Sequence, residues 1–118
     1  MAPYSARCEY FVFRYVPNPI KEEFVNIGVA VLGSKGAISV KFTKDWSRVK
    51  RLDPAADIEM LKAFAAEASV RLTSPVDCEA LLRWMEESFS NAIQLSPRKA
   101  LVTDDPATES QRLAEMYL

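Results

Sequence analysis

The chain has 118 residues, 49% of them apolar and 26% charged, with a formal net charge of −1. That is ordinary globular usage and enough for one core, so residues 1–118 are read as a single domain, not as two domains or a disordered chain. Histidine is absent, and Cys8 and Cys78 stand far apart with no C-x-x-C spacing. The first removes Ser-His-Asp and Cys-His catalysis, His-ligated metals and a histidine pH switch, and the second argues against a zinc site or a disulfide framework.

Charge is unevenly placed. Residues 1–51 hold nine basic and four acidic side chains (+5), and residues 52–118 hold six and twelve (−6). Such an imbalance steers a charged partner to one face if the halves are separate in space, and cancels if they interleave. The longest apolar run, Phe24 to Leu32, is broken by Asn26 and Gly28 and falls far short of the roughly 20 residues of a membrane helix. Residues 1–7 contain no apolar core of the signal-peptide kind, so a cytoplasmic location is expected.

The first predicted element is a strand from Cys8 to Val16. Alternation puts Tyr10, Val12, Arg14 and Val16 on one face and Phe11, Phe13 and Tyr15 on the other, the pattern of a central strand. Pro17-Asn18-Pro19 should end it, because neither proline can donate to a ladder. A second strand runs from Glu22 or Glu23 to Leu32, with Val25, Ile27, Val29 and Val31 as one continuous core face. Gly33-Ser34-Lys35-Gly36 reads as a turn, and Ala37 to Thr43 as a third strand with Ile38, Val40 and Phe42 inward. Lys44 to Asp53 suits one helical turn or an ordered capping loop.

Asp53-Pro54 then reads as a cap and first turn, opening a helix to about Leu72 with Ile58, Leu61, Phe64, Ala65 and Ala68 as its stripe. Ser74-Pro75 repeats the signal ahead of Leu81, Leu82, Met85 and Phe89, a helix ending near Ser90. Short strands are expected over Asn91 to Leu95 and Lys99 to Thr103, and Asp105-Pro106 opens a last helix. Strands early and helices late predict an α+β fold: an antiparallel sheet from a three-stranded meander plus one or two later strands, with about three helices on one face.

Three groups of residues are candidates for function. Arg14 and Asn26 are polar residues inside apolar strands, and burying either without a partner costs several kcal/mol. In a hairpin they can share a face, with Gly28 leaving a gap beside them and Arg98 as a further cation. That set suits a carboxylate, a phosphate or a partner's backbone. The alternative is structural, with Arg14 paired to Glu9, Glu22 or Glu23 and Asn26 tying down the proline turn. The second group is Lys41, Lys44, Arg48, Lys50 and Arg51 around Trp46, either a nucleic-acid contact surface or a solvated rim on a buried tryptophan. The third, the doublets Glu22-Glu23 and Glu86-Glu87, places neighbours on different faces and shows no convergence of the kind metal or acid–base chemistry needs. No cofactor, metal or membrane association is implied, and an enzyme reading is weak.

Arg14-Tyr15-Val16-Pro17 and Glu23-Phe24-Val25-Asn26-Ile27-Gly28-Val29 resemble the opening signature of the bacterial domain-of-unknown-function family 3037. Leu95-Ser96-Pro97-Arg98, Asp105-Pro106 and the closing Met116-Tyr117-Leu118 are similar to that family's end. The resemblance implies a small bacterial or phage-borne cytoplasmic protein, of a kind often encoded beside a HipA-like kinase, and it transfers no catalytic residue. The leading expectation is therefore a non-catalytic partner or regulatory module for a HipA-like kinase or toxin, or for self-association. The alternatives are a nucleic-acid accessory protein using residues 41–51, and a small-molecule or nucleotide sensor or enzyme around Arg14 and Asn26.

Overall fold

A computed structural model describes residues 6–21, 23–33, 36–72, 80, 83, 92–103 and 106–118. The meander forms as expected: β1 (Ala6–Asn18), β2 (Glu23–Gly33) and β3 (Gly36–Phe42) are consecutive and antiparallel. β1 is central, with β2 on one side and both β4 (Ile93–Leu95) and β5 (Lys99–Thr103) on the other, so the five strands run in the order β3-β2-β1-β4 with β5 also on β1. The strand does not stop at Pro17 but continues to Asn18 before a 3-10 turn over Pro19–Lys21. It can do so because β1 pairs with β2 at Tyr15 and next at Asn18, leaving Pro17 outside the ladder where its missing N–H costs nothing.

Three α-helices are described over their full range: α1 (Ser47–Leu52), α2 (Ile58–Leu72) and α3 (Pro106–Tyr117). The expected helix start at Asp53 is replaced by a break. Asp53 is the extended cap that closes α1, and its carboxylate accepts the Ala55 N–H at 3.1 Å. Four residues on, Asp57 accepts the Met60 N–H at 3.0 Å and opens α2 instead. The helix predicted from Ser74 to Ser90 lies outside the described residues apart from Ala80 and Arg83, both helical.

The helices are divided between the two faces of the sheet and do not share one. On one side Phe11, Phe13, Tyr15, Val25, Ile27 and Ala30 pack with Val49 of α1 and Leu61, Phe64, Ala68 and Leu72 of α2. On the other, Cys8, Val12, Val29 and Val31 pack with Leu113 of α3. This division corrects the expected single face of β2. Phe13 pairs with Gly28 and Arg14 with Asn26, so Ile27 is an extra residue between two register positions, a β-bulge. The bulge flips the side-chain alternation, sending Val25 and Ile27 to the α2 layer and Val29 and Val31 to the α3 layer. The displaced Ile27 carbonyl is satisfied by the Thr43 N–H at 2.8 Å.

A second irregularity holds the other edge of β1. Phe13 to Tyr15 pair with β4, and Ala6 to Tyr10 pair with β5. Ser96 bridges the change of partner: its N–H donates to the Val12 carbonyl at 2.9 Å, and its hydroxyl accepts the Val12 N–H at 2.8 Å. Pro97 follows where no donor is needed.

Candidate functional site

The bulge also decides where the polar pair points. Arg14 and Asn26 are direct register partners, and Gln94 of β4 lies opposite Arg14 on its other side. An Asn–Arg–Gln row therefore crosses three strands on the α3 face, near that helix's end. Asn26 Nδ2 donates to the Tyr117 carbonyl at 3.4 Å, a long bond. The Arg14 guanidinium lies over the ring of Phe24, with Cζ 4.4 Å from its centroid. Arg14 makes no ion pair among the described residues, so neither Glu9 nor Glu23 engages it as expected, and the third expected partner, Glu22, lies outside the described residues.

Two atoms of this pair are buried and have no hydrogen-bond partner among the described residues: Arg14 Nε, a donor, and Asn26 Oδ1, an acceptor. A buried polar group left unmatched costs about 1–3 kcal/mol, and a cation–π contact at a partly exposed site returns about 0.5–1 kcal/mol. The stacking on Phe24 is too weak to offset the loss. Phe24 itself is 46% exposed and Ile20, in the turn at the same end of the hairpin, is 92% exposed.

Gly28 does not belong to this group. It faces the α2 layer, and a Cβ placed on it would come 2.6 Å from Cδ1 of Phe42 and 3.1 Å from Phe13. The expected gap is filled by an aromatic ring, and the glycine serves the stacking of Phe13, Phe42 and Phe64. Arg98 stands exposed on the link between β4 and β5, alongside the segment that faces Val12. The structure thus joins Arg14 to Asn26 and leaves Gly28 and Arg98 apart. Phe24, Ile20 and Tyr117 were missed, since an aromatic in a strand and an apolar residue after a proline give no sign in sequence of being exposed or stacked.

The basic stretch is dispersed. Lys41 and Lys44 line an open groove of about 350 Å³ between the end of β3 and α3, shared with Asp45, Gln111 and Glu115. Trp46 is half-buried against the α2-side core. Arg48 donates to the Leu118 carbonyl at 2.8 Å and Lys50 to the Pro54 carbonyl at 3.1 Å. Asp45 is held below the usual carboxylate range by hydrogen bonds from the Ser47 side chain and backbone.

Two tyrosines mark the layers. Tyr15 donates to Asp53 Oδ2 at 2.6 Å, and burial together with that carboxylate pushes its phenol up to about 12. The Tyr10 and Tyr117 hydroxyls meet at 3.2 Å, which raises the Tyr10 phenol. Among the described residues no three His, Cys, Asp or Glu side chains group as metal ligands, and no helix is long and apolar enough to cross a membrane.

Fold and site together define an α+β domain whose central hairpin carries a paired guanidinium and amide at one end of a two-faced sheet. The chain belongs to the family described as a protein of unknown function (DUF3037), whose model matches residues 10–118. No curated protein and no solved structure matches the chain.

Proposed function

We propose that this chain is a non-catalytic binding module of a bacterial or phage system, docking a protein partner through the Pro19–Phe24 end of its central hairpin. The observation that carries the reading is the Arg14 guanidinium, free of any ion pair among the described residues and stacked 4.4 Å over a half-exposed Phe24. Arginine and aromatic residues dominate the energetic centres of protein interfaces, and the bare Ile20 extends the same end with apolar surface. A HipA-like kinase is the partner that the resemblance set out above implies. The nucleic-acid alternative draws less support, because Trp46 packs on the core and Arg48 and Lys50 are engaged by backbone carbonyls.

The test is co-expression with a HipA-like kinase and co-elution at micromolar concentration. Phe24→Ala and Arg14→Met should each release the kinase while the melting temperature holds. A chain that elutes alone, or a complex indifferent to both substitutions, overturns the proposal.

A further inference from the structure

The orphan atoms on the opposed pair have complementary chemistry. Arg14 Nε offers one N–H and needs an acceptor, while Asn26 Oδ1 offers lone pairs and needs a donor. An anion matches only half of this pattern: a carboxylate or phosphate satisfies the arginine and repels the amide oxygen. A peptide group lying between the two atoms matches both halves, because its carbonyl accepts from one side and its oppositely directed N–H donates to the other. We infer that Arg14 and Asn26 form a receptor for one main-chain peptide group of a partner segment laid across the β1–β2 hairpin. The inference rests on the protein-binding reading and names what the partner presents.

The surroundings fit that ligand. Asn26 spends its Nδ2 on the Tyr117 carbonyl, which leaves Oδ1 as the atom available to a ligand. Phe24 covers the guanidinium and is itself half exposed, so its ring borders the surface on which a partner's flanking side chain would pack. A peptide group seated there lets two unmatched groups be satisfied together. Water offers the same two functions, so the peptide must be taken up in competition with it, and a titration measures that directly.

The experiment uses the whole chain, labelled with 15N, and three small probes. N-methylacetamide carries both carbonyl and N–H, N,N-dimethylacetamide carries the carbonyl alone, and acetate is the anion. N-methylacetamide should move the Arg14 Hε and Asn26 side-chain resonances several-fold further than either of the others. Equal shifts from the dimethyl compound would show that no donor is read, and the largest shift from acetate would make the pair an anion seat; either overturns the inference, as does silence from all three. The double variant Arg14→Met/Asn26→Leu should lose the N-methylacetamide response, and a response that persists in it overturns the inference. Because the probes need no kinase, a negative titration beside an intact kinase complex rejects the peptide receptor alone. A positive titration without a complex rejects only the proposed partner.

Discussion

The Tyr15 hydroxyl donates to Asp53 Oδ2 at 2.6 Å, so the central strand is pinned to the residue that ends α1. Tyr15 is buried, and the folded phenol titrates near 12 against 10 for the free side chain. Below pH 10 both states keep the proton and the contribution is complete. Between 10 and 12 the unfolded chain releases its proton while the folded chain does not, so stability falls as pH rises. The loss amounts to about 2–3 kcal/mol by the upper end. Tyr15→Phe should remove this part of the alkaline decline and cost about 1–2 kcal/mol at neutral pH, since Asp53 loses its donor. Urea unfolding of both proteins across pH 8 to about 12 checks the sign.

Gly28→Ala should destabilise by about 1–3 kcal/mol, the usual cost of overpacking. The added methyl would lie 2.6 Å from a Phe42 ring that packs against Phe13 and Phe64. Phe42→Leu in the same chain should recover part of the loss. If Gly28→Ala alone unfolds at the native denaturant midpoint, the close approach is not a packing constraint.

Both outer layers explain what the sequence revealed and what it hid. The meander, the later strands and α3 were legible because apolar alternation and Ser-Pro and Asp-Pro signals are local. The bulge at Ile27 was not, because Val25, Ile27, Val29 and Val31 are equally apolar and a sheet covered on both faces accepts them in either layer. The same symmetry concealed which face α3 takes. Asp53 and Asp57 both have capping chemistry, but Asp53 closes α1 with its carboxylate taken by Tyr15 and Ala55, which leaves Asp57 to cap α2. Arg14 and Asn26 stood out as polar residues in apolar strands, yet their register depended on the hidden bulge.

Trp46→Ala should cost about 2–3 kcal/mol, less than the figure for a fully buried tryptophan because the ring is only half covered by the α2-side core. Charge reversal at Lys44, exposed on the groove rim, should change stability by less than about 0.5 kcal/mol. Thermal denaturation separates the two. The opposite ranking would mean that the tryptophan stands off the core as a stacking platform.

Ser96→Ala tests the joint that lets β1 change partners. The substitution keeps the Ser96 N–H bond to Val12 but removes the hydroxyl that accepts the Val12 N–H, leaving a buried backbone donor unmatched in the central strand. The expected cost is about 1–3 kcal/mol, and Val12 should show the largest gain in amide exchange rate within β1. Ser96→Thr retains the hydroxyl and should preserve Val12 protection even if the extra methyl lowers global stability. Loss of protection spread evenly over β1 in Ser96→Ala would instead mark a general weakening of the sheet, with no local role for the hydroxyl at the joint.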